Sequence, residues 1–389
     1  MIPISYSVRS LLRRPLTAAV TIVGLALVVF VFAAVGMLER GVRETLASNG
    51  SPNNAMVLRD GAASETVSLL TRTQVRLLSA SPELVMDSDG QPLLAGEVVV
   101  IANLPQVLGQ AGANVGIRGL SPKSLVIRDA VRLVAGRLPV PGTSEVMVGR
   151  SAAGRYVGSA LGQTISVARR DWPVVGIFAA RGSGFESEIW GDALQIMDAF
   201  NRTVYSSAVL RLRNPAALAT LTRLLASDTQ LSTAKIWRED RFYDAQSESL
   251  RRFINLLGSF VAVIFALAAA FGAAVTMNAQ VAGRLREVGT LRAIGFGRAT
   301  VLGVFLRESL TLSAVSGLLG ILAASLLSRV GFSTLNQQSF TLITFHFSFS
   351  FDVAVAAFSF SLAMGLMGGF LPAWTASRLS IVTAIRGAR

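Results

Sequence analysis

The chain has 389 residues, of which 52% are hydrophobic and 15% charged; an ordinary soluble domain carries about 25% charged residues, and the missing charge points to lipid. A net charge of +13 would ordinarily raise nucleic acid as a partner, but Arg9, Arg13, Arg14, Arg284, Arg286, Arg292, Arg298, Arg378, Arg386 and Arg389 flank apolar stretches, where positive charge holds a segment on the cytoplasmic side. The absence of cysteine excludes a disulfide, a thiolate metal site and a cysteine nucleophile.

In chain order, residues 1–15 read as a cytoplasmic N-terminus. Residues 16–38 carry one charge-free stretch longer than the roughly 20 residues a helix needs to cross a bilayer core. A signal peptide is the competing reading, but the stretch exceeds the usual apolar region of about 7 to 15 residues. Residues 39–252 then form an extracytoplasmic stalk and domain. At its ends, residues 39–48 and 240–252 mix charged and apolar side chains at helical spacing, so the first two spans are expected to continue as a stalk. Amphipathic helices lying in the headgroup layer would show the same pattern. Between these ends, residues 98–102, 145–148, 164–167 and 172–178 are β-rich runs bounded by Gly or Pro, while residues 66–80 and 215–227 read as helices. A mixed α+β domain follows, with a β-rich lobe at about residues 120–190 inserted into it.

The second span covers residues 253–277, followed by a cytoplasmic segment, 278–300, and a third span, 301–328. A short polar and aromatic outer loop, 329–352, leads into the fourth span, 353–372, which is expected to end or kink at Pro372. Residues 373–389 form a cytoplasmic C-terminus. The fold class is therefore an α-helical membrane protein with four transmembrane helices and an α+β extracytoplasmic domain between the first and second. Residues that carry chemistry are scarce. The single histidine, His346, sits among phenylalanines with no second metal ligand nearby, and no carboxylate pair has a recognisable spacing. A P-loop needs glycines ahead of a Lys-Ser or Lys-Thr step, yet Lys123 follows Pro122 and Lys235 precedes Ile236. No catalytic, metal-binding or cofactor-binding residue is expected.

Within the cytoplasmic segment, Leu285, Val288, Leu291 and Ile294 recur at three-residue steps. They make one apolar helix face, rimmed by Arg284, Arg286 and Arg292, that suits docking into a groove on a cytoplasmic partner. A helix lying on anionic lipid is the alternative. In the fourth span Gly365 and Gly369 form a small-xxx-small pair, which serves either dimerisation or packing within one protomer.

The run Arg286-Glu287-Val288-Gly289-Thr290-Leu291-Arg292-Ala293-Ile294-Gly295, followed by Phe305-Leu306-Arg307-Glu308-Ser309, resembles the signature of the FtsX/MacB-like permeases of type VII ABC transporters. Arg14-Pro15-Leu16-Thr17 and Pro372-Ala373-Trp374-Thr375-Ala376-Ser377-Arg378 resemble the family's first-span entry and terminal motif, and Ala384-Ile385-Arg386 also fits. Gly136-Arg137, Glu145-Val146-Met147-Val148-Gly149, Gly162 and Val174-Val175-Gly176-Ile177 resemble its periplasmic core. The resemblance implies a multi-pass protein of the bacterial inner membrane with both termini cytoplasmic and the large domain periplasmic. It also implies a coupling helix in which Arg286, Glu287, Gly289, Leu291, Arg292, Ala293 and Gly295 serve a separate ABC ATPase subunit that carries the ATP and Mg. Glu308 is expected as a membrane-embedded polar residue paired with Arg307 or a neighbouring helix. By the same resemblance the expected partners are a second permease chain, identical or paralogous, and a membrane-fusion adaptor with an outer-membrane channel. The implied function is mechanotransmission: ATP hydrolysed by the partner moves the outer domains, for export with the adaptor, for lipoprotein release, or for control of a cell-wall hydrolase. Export is favoured by the size of the outer domain. A membrane-anchored binding or signalling protein without an ATPase stands as the distant alternative.

Overall fold

The computed structural model describes residues 15–47, 49–109, 112–335 and 341–378. The readings placed on residues 1–14 and 379–389 and on the Arg286 side chain lie outside this description. The chain divides into two compact units, one built from residues 1–40, 252–330 and 347–389 and the other from residues 41–251 and 331–346.

Among the described residues four helices are long and apolar enough to cross a membrane. They belong to α1, Pro15–Ala47; α6, Glu239–Ala282; α8, Arg298–Ser325; and α9, Phe351–Arg378. The helices α1 and α6 both run without interruption beyond their apolar stretches, as the helical spacing of residues 39–48 and 240–252 suggests. The fourth helix does not stop at Pro372. That proline lies inside α9, and spanning helices accept proline where neighbours and small local adjustments satisfy the freed backbone. Small residues let α8 and α9 approach closely. The Ser309 hydroxyl donates to the Gly365 carbonyl and Ser361 to the Ser313 carbonyl, both at 2.6 Å. The rings of Phe32 and Phe360 stack at 4.3 Å.

The second unit is an α+β domain around one ten-stranded sheet. Its strands are β1, Asn54–Arg59; β2, Leu94–Pro105; β3, Gly112–Leu120; β4, Arg132–Gly136; β5, Val146–Gly149; β6, Thr164–Val167; β7, Arg170–Ala179; β8, Ile189–Asp192; β9, Ser207–Arg211; and β10, Ala234–Arg238. They are ordered β10-β1-β9-β2-β3-β8-β5-β7-β4, with β6 paired to β7. The strands within residues 120–190 thus continue the main sheet, through a parallel β3–β8 pairing, and do not form a separate inserted sheet.

Both sheet faces are covered, which explains why β1 reads as a continuous apolar run. Its Ala55 and Val57 pack with Leu78, Leu221 and Leu225 from α2, Arg72–Ser79, and α5, Ala217–Ser227. Its Met56 and Leu58 point the other way, towards Phe178, Phe185 and Trp190. Helix α2 starts only at Arg72 because Thr71 caps it: its side chain accepts from the Gln74 N–H while Gln74 reaches back to the Thr71 N–H, a reciprocal box that fixes a helix N-terminus. The helix read over 66–80 is therefore shorter, with a separate 3-10 turn, Glu65–Val67, ahead of it. Two more short helices, α3, Ser124–Ile127, and α4, Ala193–Ala199, complete the domain.

The short outer loop contains a β-hairpin of β11, Gly331–Leu335, and β12, Leu342–His346, that belongs to the second unit. The Thr344 N–H donates to Ser187 Oγ at 3.1 Å, and Arg155 Nη1 to Ser333 Oγ at 2.6 Å. His346 closes the hairpin opposite Gly331 and is exposed.

Candidate functional site

The segment between the second and third spans, expected on the cytoplasmic side, folds as helix α7, Leu285–Ala293, between α6 and α8. Gly295, at φ +103°, turns the chain out of α7 in a conformation that glycine adopts without strain, and Gly297 leads into α8. The apolar face of α7, expected from the sequence to dock into a partner, is partly covered by the chain itself. Val288 is buried in a cluster with Met277, Val281, Val301, Phe305, Ala373 and Ala376, and Leu285 packs against the same cluster. The chain's own long helices cover Val288 and Leu285, so the start of the three-residue period faces inward while Ile294 at its end stays exposed. Gly289 is buried and Leu291 half-buried. Exposed are Glu287, Thr290, Ala293, Gly295 and, at 72%, Ile294. Arg292, read as an ATPase contact, donates from Nη1 to the Ser377 carbonyl of α9 at 3.3 Å.

Glu308 is buried on α8. It accepts from Arg284, the residue just ahead of α7, which donates from Nη1 at 3.0 Å and from Nη2 at 3.3 Å. A buried carboxylate is costly unless paired, and the two-point grip of a guanidinium supplies both the charge and the geometry. The ion pair therefore fixes the start of α7 to α8.

In the outer domain the structure assembles a cluster that sequence reading missed. Arg118 on β3 uses all five N–H donors. It meets Glu65 at 2.8 and 2.9 Å, Glu97 at 2.9 Å, and Glu188 at 2.8 and 3.1 Å. Arg128, after α3, meets Glu97 at 3.1 and 2.8 Å and Glu239 at 2.7 Å. The Phe185 ring packs under both guanidiniums, at 5.0 and 4.5 Å from its centroid. Tyr243 donates to Glu65 at 3.0 Å and Trp190 to Glu188 at 2.6 Å. No spacing reveals this group, because its members come from elements far apart in the chain. The available signal was single charges inside apolar strands: Glu97 before Val98-Val99-Val100, and Arg118 after Val115-Gly116-Ile117. A charge there is buried on folding and needs a partner.

Burial opposes ionisation of Glu65, but the Arg118 guanidinium and its hydrogen bonds outweigh it and hold the carboxyl down at about 2. Burial likewise opposes Glu97, and Arg128 and Arg118 bring it below its ordinary value. Glu239 goes the other way, burial raising it more than Arg128 and Asn54 lower it. Because the folded value of Glu65 lies below its ordinary 4.5, its stabilisation is present above pH 4.5 and is lost as pH falls towards 2. Acid titration of the full chain, followed by Trp190 fluorescence, is expected to show wild type roughly 3 kcal/mol more stable than Glu65→Gln above pH 5, relative to their difference at pH 2. Among the described residues no group of three or more His, Cys, Asp or Glu is placed to hold a metal ion.

Two families match the chain. The FtsX-like permease C-terminal family covers residues 259–381, which include α7, Arg284 and Glu308. The MacB-like periplasmic core domain family covers residues 16–227, more than half of the chain. The chain belongs to the FtsX-like permeases that carry a MacB-like periplasmic core domain. It is an ABC transporter permease, a membrane protein with an extracytoplasmic domain.

Two solved structures resemble part of the permease. The extracellular domain of the noncanonic ABC-type transporter YknZ from Gram-positive bacteria is 11% identical, over 48% of this chain and 100% of that one, with a TM-score of 0.36. A domain of a putative permease protein from Porphyromonas gingivalis is 13% identical, over 47% and 84%, with a TM-score of 0.29. No curated protein matches the permease. The small-residue pair of its last helix is used within the protomer: a Cβ on Gly365 would strike Ser313 of α8, and one on Gly369 would lie 2.5 Å from Ser309 Oγ. Those glycines are occupied by α8 and give no support to a dimer contact.

Proposed function

We propose that this permease converts ATP hydrolysis on a separate ABC ATPase subunit into movement of its extracytoplasmic domain, in the bacterial inner membrane, with N- and C-termini in the cytoplasm. The observation that carries this reading is helix α7. It is held at its start by the Arg284–Glu308 pair, seated on a buried apolar cluster, and still exposes Glu287, Thr290 and Ile294. A rigidly mounted short helix with a mixed polar and apolar outer side is what a load-bearing contact with another subunit requires. Arginines beside the spans favour the cytoplasmic side for this segment, and no GxxxxGK[ST] loop occurs among residues 1–389. The four candidate spans are few for a transport unit, so a second permease chain, identical or paralogous, is part of the proposal. Export with a membrane-fusion adaptor and outer-membrane channel is the favoured pathway, on the size of the outer domain, with lipoprotein release as the second.

The test is purification of the tagged chain from its native membrane, with mass spectrometry for a subunit bearing a GxxxxGK[ST] loop. Wild type is expected to retain that subunit, and Ile294→Glu, at a position 72% exposed, to lose about tenfold in its recovery without loss of fold. Retention at wild-type level in Ile294→Glu removes α7 as the docking helix.

A further inference from the structure

The ionic cluster of the outer domain closes on itself, and both ends of the circuit lie on the first turn of α6. Glu239 opens the helix. Its carboxylate accepts from Arg128 Nη1 at 2.7 Å, from Asn54 Nδ2 at 2.8 Å and from the Ser51 N–H at 3.0 Å. Arg128 passes to Glu97 on β2, Glu97 to Arg118 on β3, and Arg118 to Glu65. Glu65 returns to α6 by accepting the Tyr243 hydroxyl at 3.0 Å, four residues after Glu239 and so on the same helix face. The circuit lies in the domain interior, where Glu97, Arg118, Arg128, Glu65 and Glu239 are each at most 5% exposed.

Nothing at this junction resembles a hinge. Strand β10 ends at Arg238 and α6 begins at the next residue, with Arg238 also gripping Asp240 at 2.6 and 2.7 Å. Gly50 lies so near that a Cβ there would sit 2.5 Å from the Asp240 nitrogen. A helix meant to pivot at its root would carry a glycine or a loop at that point, whereas this root is charged, buried and held from strands β1, β2 and β3.

We propose that Glu239 and Tyr243 are positioning residues that clamp the root of α6 into the sheet, so that displacement of this unbroken helix is delivered to the sheet as a whole and not absorbed at residue 239. The clamp deepens the mechanotransmission reading and rests on it for its purpose, though not for its existence. Buried ion pairs are poor devices for raw stability but hold specific geometry when every partner is satisfied, and Arg118 with all its donors engaged meets that condition.

Two measurements on the full chain in complex with its ATPase separate the two ideas. The first is amide hydrogen exchange in wild type, Glu239→Gln and Tyr243→Phe. The second variant removes one hydroxyl and keeps the ring, so it preserves the fold if the first does not. The clamp predicts exchange over residues 239–246 about tenfold faster in either variant, with β2 and β3 still protected; unchanged exchange in both overturns it. The second measurement is the ATP-driven distance change between spin labels at Asp89→Cys and Ser328→Cys. Clamp variants are expected to show half the wild-type change or less per ATP hydrolysed, and a full-sized change despite a loosened helix overturns the proposed role. If wild type itself shows no ATP-driven change, the mechanotransmission reading fails, while the exchange result still decides the clamp.

Discussion

Arg118→Ala is expected to destabilise the outer domain by about 3 to 5 kcal/mol or more, the cost of leaving buried charges without their partner. The substitution strands Glu65, Glu97 and Glu188 together, with Arg128 alone to neutralise them. Like charges in a shared dry site favour protonation, so the variant should recover stability as pH falls while wild type loses it. Thermal unfolding of the detergent-solubilised chain, followed through Trp190, whose ring lies 4.4 Å from Phe178 and 5.4 Å from Phe185, reads this directly. The comparison is Arg137→Ala. Arg137 is also hydrogen-bonded to a glutamate, Glu145, but its side chain is 55% exposed, and exposed pairs contribute little. Arg137→Ala should therefore leave the melting temperature unchanged; equal losses in the two variants would show that the buried circuit carries no special weight.

Glu308→Ala should release helix α7, the proposed coupling helix, without unfolding the chain's long helices. Arg284 is 12% exposed and Glu308 1%, so removing the carboxylate leaves a guanidinium among apolar helices with a strong drive to reach water. Since Arg284 immediately precedes α7, its departure takes the start of that helix with it. The expected result is a loss of about tenfold or more in ATPase affinity, equivalent to roughly 1.4 kcal/mol, with an unchanged melting profile for the outer domain. Exchanging the pair, Arg284→Glu with Glu308→Arg, should restore part of the binding, because the attraction is symmetric while the guanidinium reach is not. No recovery in the exchange, together with full binding in Glu308→Ala, would show the pair to be incidental to α7.

The sequence was most legible where one physical rule dominates. Uncharged stretches of sufficient length can only be spans, and the four candidate helices stand where such stretches lie. Strands at residues 98–102, 145–148, 164–167 and 172–178 were visible because glycines and prolines bracket β-branched runs, and each falls within β2, β5, β6 or β7, Glu145 alone preceding β5. Legibility failed where a rule was local and the structure was not. Periodicity placed Leu285, Val288, Leu291 and Ile294 on one face but not which side of α7 faces outward, and the inner helices claimed Val288. Pro372 breaks a helix in isolation but not in α9, which runs on to Arg378, as spanning helices can where neighbours satisfy the freed backbone. The Gly365–Gly369 pair was equally compatible with a partner chain and with α8 until the positions of Ser309 and Ser313 were known. The ionic circuit joins residues up to 178 positions apart, and only the isolated charges of β2 and β3 hinted at it.

ATP acting on another subunit should move this chain's outer domain. Because the chain has no cysteine, two introduced ones can be labelled without background. Electron-electron distance measurement between Asp89→Cys and Ser328→Cys, in the purified complex with its ATPase in lipid nanodiscs, tests the claim directly. Distance distributions should differ between the ATP-bound and ADP-bound complex and return to the starting distribution after hydrolysis. Identical distributions in both nucleotide states, in a complex that hydrolyses ATP, would contradict it.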